Sequence, residues 1–358
     1  MYPRTLLVLL SLILLFSATA PVQSKKTIAT CSADSIAAWM KRYHVPTLGL
    51  SVIENGKVKS MHVYGGVPPI TTAPVNTLWN VASLTKPVTA LVTLKLVNEG
   101  RWSLDESTTN YYVDPDIKDH PWSKKLSTRI LLSHQSGFLN WKRMEPDKKQ
   151  RFHFEPGTRW GYSGKGYEYL RMALEAKFGK TLQQLAKEEL FDKVQMSDTH
   201  FGWDDQVDST RFAWGFTEDM KKINFKYQEN NAADWLVTSL NDYSAFAIHV
   251  MNGAGLSTSL YKEMTSIQAH FDTLASSRQN GMGLGWGVVR DLPDHEFVLT
   301  HDGSDDGVAT IVLLLPASKR GVIIFTNGDK GAEVYSLILK ALLPDLKKEL
   351  AKSMSEFK

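Results

Sequence analysis

Ser83-Leu84-Thr85-Lys86 opens the stretch on which the reading of this chain turns, SLTKPVTALVTLKLVN at residues 83–98. Apolar side chains recur at Leu84, Val88, Leu91, Val92 and Leu96, the spacing of one helix face, and Gly100 stands where a helix is capped. Positions i and i+3 of a helix share a face, so the Lys86 amine can reach the Ser83 hydroxyl. That geometry lets an amine activate a serine without help from histidine. The pattern S-x-x-K is weak alone, and it recurs at Ser259-Leu260-Tyr261-Lys262. Context separates the two: Ser83 follows a strand-like region and opens an apolar helix, whereas Ser259 sits in a polar stretch.

Working outward, Ser35 to Tyr43 reads as a short amphipathic helix. Leu48 to Ile53 and Val58 to Tyr64 read as a β-hairpin turning at Asn55-Gly56. Helical patterns follow at Tyr167 to Lys177, Leu182 to Leu190 and Ser239 to Met251. Strands are expected at Trp286 to Arg290, Phe297 to Thr300, Val308 to Leu315 and Gly321 to Thr326, with Asp302 to Gly307 as a turn, and Ala332 to Leu343 closes as a helix. Strands at both ends with helices between predict an α+β fold: one antiparallel sheet flanked by helices, with a mostly helical inserted subdomain. The sheet part would comprise about 25–80 plus 283–350, the helical part about 81–282. Catalytic groups are expected where the two meet.

Composition removes several function classes. The chain has 358 residues, 43% hydrophobic and 22% charged, which excludes a disordered or fibrous chain. With 41 basic against 38 acidic side chains it lacks the charge of a nucleic-acid binder. The single cysteine, Cys31, forbids an intrachain disulfide, and ten scattered histidines contain no H-x-x-x-H pair, so neither a metal nor a cofactor is expected. There is no G-x-S-x-G elbow, and Gly179-Lys180-Thr181 has Leu174 where a phosphate loop needs glycine. His134, His153 and His249 read as hydrogen-bonded structural histidines, and the ten tryptophans as packing. At the N-terminus, Arg4, the apolar run Leu6 to Phe16 and the small residues Ser17, Ala18 and Ala20 form an export-signal pattern. Cleavage after Ser24 would leave a soluble periplasmic or extracellular protein without stable membrane insertion; an uncleaved anchor is the rival reading.

Downstream of Ser83 lie Leu131-Leu132-Ser133-His134-Gln135-Ser136-Gly137, then Glu155-Pro156-Gly157 with Gly161-Tyr162-Ser163-Gly164, then Gly283-Leu284-Gly285-Trp286-Gly287, and finally His301-Asp302-Gly303. In this order the motifs resemble the serine β-lactamase and penicillin-binding protein superfamily, nearest to class C β-lactamase-related hydrolases that include esterases and D-amino-acid peptidases. The resemblance runs from about Ser35 to Leu343. It implies that Ser83 is the acylated nucleophile, Lys86 its base partner, and Tyr162 the tyrosine of a Y-x-N motif sharing proton transfer. His301-Asp302-Gly303 would be the K-T-G or H-x-G motif on the strand edging the site. The backbone N–H groups of Ser83 and Ser304 would form the oxyanion hole. Lysine and tyrosine ordinarily titrate near pH 10, so either alone would be free base in about 0.1% of molecules or fewer at pH 7. Side by side, one or both should be lowered, and they should titrate as a coupled pair.

Two departures bear on substrate. Gly164 stands where the motif has asparagine, which removes an amide that would grip a substrate carbonyl, worth roughly 1–3 kcal/mol of recognition. Lys165 beside it reads as a solvated lysine. His301 replaces lysine and is surrounded by Asp302, Asp305 and Asp306, so a substrate carboxylate should be unwelcome. The expectation is an exported serine hydrolase acting on a small-molecule or peptide substrate, a small ester or a D-aminoacyl amide, through a Ser83 acyl-enzyme. The alternatives are a β-lactamase or D-alanyl-D-alanine carboxypeptidase and, from another class, a non-catalytic binder of penicillin or cell-wall fragments.

Overall fold

The computed structural model describes residues 27–66, 73–224, 231–271 and 280–346; the expected export segment, residues 1–24, lies outside them. The N-terminal hairpin forms as expected, with β1 (Thr47–Glu54) and β2 (Lys57–Gly65) turning at Asn55-Gly56, both at positive φ (52° and 71°). The first strand then pairs antiparallel with β11 (Arg320–Thr326), Leu48 opposite Thr326, so the two ends of the chain share one sheet. The remaining strands are β10 (Val308–Leu315), β9 (Glu296–Asp305), β8 (Gly287–Leu292), β7 (Asn280–Met282) and β6 (Ala269–His270). Their order is β2-β1-β11-β10-β9-β8-β7-β6, antiparallel at each pairing. Strands β6 and β7 lie upstream of Gly283, so the C-terminal part of the sheet starts earlier than the sequence pattern suggests. A small second sheet joins β3 (Leu78–Asn80), β5 (Leu236–Ser239) and β4 (His200–Phe201).

One expectation needs correcting. Pairing of β9 with β10 continues to Asp305 opposite Val308, so His301-Asp302-Gly303 is strand, and only Asp306-Gly307 turns. The polar run looked like a loop because this end of the strand borders a site and not a core.

The sheet is covered on both faces. Leu48, Leu50, Val52, Ile311, Leu313 and Ile324 pack beneath α1 (Ala33–Arg42) and α9 (Gly331–Leu342). The opposite face buries Ile53, Val312, Leu314, Ile323 and Phe325 with α2 (Thr85–Asn98), Trp79 and Trp286. Helices α3 (Thr128–Leu132), α4 (Gly164–Phe178), α5 (Leu182–Ala186), α6 (Asp192–Val194), α7 (Leu240–Met251) and α8 (Thr258–Thr265) occur between the two groups of strands. The second helix is buried on all sides from Thr85 to Leu96, although its sequence shows one apolar stripe. Its polar face survives burial because it is bonded: Thr89 donates to the Ala232 carbonyl (2.7 Å) and Thr93 to the Thr89 carbonyl (2.9 Å).

Candidate active site

Ser83 is aimed by strained backbone. Ala82 before it adopts φ 47°, a left-handed conformation unusual for alanine. Three bonds hold that turn in place: Asn80 Oδ1 accepts from Ala82 N (2.8 Å), Thr310 donates to the Val81 carbonyl (2.9 Å), and Thr85 donates to the Ala82 carbonyl (2.6 Å). Ser83 lies in a single 3₁₀ turn (Ala82–Leu84) that runs into α2, and Lys86 sits in the first turn of that helix. The i, i+3 expectation is met, with Lys86 Nζ 2.8 Å from Ser83 Oγ.

A second hydrogen bond, 2.7 Å from Lys86 Nζ to the Ala233 carbonyl, fixes the amine. The segment supplying that carbonyl is itself tied down, since Ala232 N donates to Glu168 Oε1 (2.6 Å) and Leu236 N to the Thr85 hydroxyl (2.9 Å). Lys86 is fully buried. Burial lowers its pKa to about 8, while the charges of Asp234, Asp302 and Glu168 pull the other way.

The Tyr162 hydroxyl hydrogen-bonds Ser83, and Lys86 Nζ lies 4.8 Å from the Tyr162 ring centroid. Burial raises the tyrosine pKa, the Ser83 bond offsets part of this, and Asp302 and Asp234 add to the rise. Burial thus favours the neutral form of both groups: the lysine gives up its proton more readily and the phenol keeps its own. His301 completes the group, its ring centroid 6.4 Å from that of Tyr162. His301 Nδ1 lies 2.7 Å from the Asp302 carbonyl, which can only accept, so the proton sits on Nδ1. Burial, with Lys86 adding to it, pushes the His301 pKa down to about 3, leaving a neutral ring.

The free edge of β9 borders Ser83. Pairing with β8 ends at Gly287 opposite Thr300, and beyond it Gly303 passes so close to the serine turn that a β-carbon there would lie 3.1 Å from Ser83 N and 2.5 Å from the Val81 carbonyl. Only glycine permits that approach. The neighbours of Gly303 alternate away. Asp302 stands opposite Ile311, on the face packed by α9, within electrostatic reach of Tyr335. Its charge still reaches Lys86 and Tyr162 from there. The Ser304 side chain is exposed, and by the same alternation it shares that far face, which leaves its backbone as the part that can serve the site. Asp305 returns to the site side, where its carboxylate accepts from Trp235 Nε1 (2.9 Å).

Asp234 is the acid the sequence did not single out. It lies in Asn231-Ala232-Ala233-Asp234-Trp235, which matches no motif, and its place beside Lys86 arises only because the segment docks on α2. Burial and then the Asp305 charge raise its pKa, and Lys86 counteracts them. Arg143 is close enough to act on both acids.

Gly164 has a steric reason: a β-carbon there would meet the Trp141 ring at 2.9 Å and Asn140 Oδ1 at 3.0 Å. Lys165 is not solvated as expected, since its amine pairs with buried Asp114 at 3.2 Å. His153 bonds Glu145 at 2.7 Å, in keeping with a structural role. The second S-x-x-K match lies on α8 with Ser259 and Lys262 both exposed. Among the described residues no cluster of three or more His, Cys, Asp or Glu side chains is placed to hold a metal, and no helix is long and apolar enough to cross a membrane.

Comparison with known proteins bears on the family and the fold. The family model described as Beta-lactamase matches residues 33–343. Protein flp of Staphylococcus aureus (strain MW2) is 22% identical over 309 residues, 80% of this chain. The match spans 61% of that relative's length, so this chain corresponds to about three fifths of it. Penicillin-binding protein 4* of Bacillus subtilis (strain 168) is 23% identical over 322 residues, covering 80% of this chain and 69% of that protein. Among solved structures, the octameric penicillin-binding protein homologue from Pyrococcus abyssi superposes with a TM-score of 0.73 at 20% identity, over 88% of this chain and 79% of that one.

Proposed function

The chain belongs to the beta-lactamase family, and from that premise we propose that it is an exported serine hydrolase that cleaves a small ester or a D-aminoacyl amide through a Ser83 acyl-enzyme. The observation carrying this reading is the buried Lys86 amine, 2.8 Å from Ser83 Oγ and lowered toward its free-base form. A lone pair on Lys86 takes the Ser83 proton as Oγ bonds to the substrate carbonyl carbon. The Ser83 and Ser304 N–H groups stabilise the oxyanion. When the intermediate collapses, the carbonyl–leaving-group bond breaks and the Lys86 proton passes to the departing oxygen or nitrogen through the Tyr162 hydroxyl. Water then attacks the acyl-enzyme, giving its proton back along the same route, and Ser83 is regenerated.

Substrate charge supports esters and amines over carboxylates. A neutral His301 offers no cation to a penicillin-type carboxylate, and Asp234 and Asp305 stand on the substrate side. A D-aminoacyl amide with a free ammonium group complements these acids, and an uncharged ester is tolerated. The names of the penicillin-binding relatives favour a second reading, in which the site is acylated by penicillin or cleaves D-alanyl-D-alanine ends.

The deciding experiment is intact-protein mass spectrometry after incubation with a fluorophosphonate and with a penicillin, on the wild type and on Ser83→Ala. A fluorophosphonate adduct lost in Ser83→Ala, without a lasting penicillin adduct or penicillin hydrolysis, supports the proposal. A stable penicillin adduct supports the second reading. If neither reagent leaves an adduct, the result points to a non-catalytic binder.

A further inference from the structure

We propose that His134 is a positioning residue that sets the Tyr162 ring for proton transfer; the proposal rests on the reading of Ser83 as nucleophile. Tyr162 sits in an irregular stretch just ahead of α4, with no regular hydrogen-bonding of its own. Both of its chain neighbours are tied to one residue: Gly161 N donates to the His134 carbonyl (2.8 Å) and Ser163 N donates to His134 Nδ1 (3.0 Å). The imidazole also lies against the Tyr162 ring, with centroids 4.4 Å apart and planes at 32°. His134 thus holds the tyrosine by the backbone on either side and by its face.

The clamp is itself held. His134 is fully buried and adopts φ 57°, and its ring also packs against that of Tyr167, with centroids 5.1 Å apart. Tyr167 is anchored through its hydroxyl to the Leu132 carbonyl (3.0 Å). Because Nδ1 accepts from an N–H, the His134 proton is on Nε2, and Nε2 has no protein partner among the described residues. What the ring contributes therefore lies in Nδ1 and its face. Burial, then the nearby Lys86 and His301, hold the His134 pKa well down, so the ring stays neutral and keeps the lone pair that the Ser163 N–H requires. His134 touches neither Ser83 nor Lys86 by any hydrogen bond found among the described residues, so it acts through Tyr162.

The test measures fluorophosphonate labelling rates, and kcat and KM on a small ester, for His134→Phe and His134→Asn, each also in a Tyr162→Phe background. Phenylalanine keeps a ring but loses the acceptor; asparagine tolerates the positive φ and offers an amide oxygen to the Ser163 N–H. The expected result is at least a tenfold fall in labelling rate and kcat for His134→Phe with KM within about twofold, and partial recovery in His134→Asn. In the Tyr162→Phe background neither substitution should slow labelling further. A residue that only supports the fold would cost the same factor in both backgrounds, and that outcome overturns the proposal, as does a wild-type rate in His134→Phe. Should the phenylalanine variant not fold, His134→Leu against His134→Asn carries the same comparison. Labelling of the wild type that does not depend on Ser83 would sink the parent reading instead, whatever the His134 variants do.

Discussion

Gly303→Ala tests the junction on which the proposed oxyanion hole depends. The added β-carbon would stand 2.5 Å from the Val81 carbonyl oxygen, 2.4 Å from Thr310 Oγ1 and 3.1 Å from Ser83 N, where ordinary contact begins at 3.4 Å. Thr310 could rotate away, at the cost of its bond to the Val81 carbonyl, but the carbonyl is backbone in the strained turn before Ser83. Relief therefore requires β9 and the serine turn to part by roughly the 0.9 Å shortfall at Val81. Overpacking of this kind costs about 1–3 kcal/mol of stability, and a displacement near 1 Å at a reacting group costs about 100-fold in rate. The assay is the second-order rate of fluorophosphonate labelling of Ser83, read with a thermal melt. The expected outcome is a folded protein, a few degrees less stable, labelled about 100-fold more slowly. Adding Thr310→Ala removes the hydroxyl clash but leaves the Val81 carbonyl, so it should not restore the rate. Labelling of Gly303→Ala within about threefold of wild type would refute the idea that Ser83 and β9 work at this separation.

Other expectations concern the proton-transfer groups and substrate charge. Lys86→Met should slow ester hydrolysis by at least about 100-fold, the usual loss of a general base, with fluorophosphonate labelling slowed in parallel. Activity should rise with pH through a midpoint near 8, because below it the Lys86 amine is protonated and cannot accept the Ser83 proton. Asp234→Asn removes a charge that favours the Lys86 cation, so that midpoint should move to lower pH; a pH–rate profile showing no shift would argue against electrostatic contact. His301→Lys places a cation where the neutral imidazole stands and should raise the rate of penicillin acylation about tenfold relative to ester hydrolysis, measured by adduct formation.

The local and periodic features were legible in the chain alone. Asn55-Gly56 dictates a hairpin because those two residues accept positive φ, and the unbroken apolar runs of β10 and β11 with their short turns mark a sheet buried on both faces. The Ser83–Lys86 contact followed from helical spacing, since it is made within one turn. The end of β9 was misread because strand pairing there is set by β10 across the sheet, whereas its polar residues resemble a turn. That Asp302 faces α9 while Gly303 faces Ser83 is a matter of pleat and register, which no composition reveals. Asp234, the Ala233 carbonyl and the His134 clamp lie 148, 147 and 28 positions from the residues they serve, Lys86 and Tyr162. Residue types and spacings along the chain thus determined which groups carry chemistry and which short elements hold them. Their ionisation and aim were decided only by folding, because removal from water and the approach of distant backbone act through space and leave no mark at neighbouring positions.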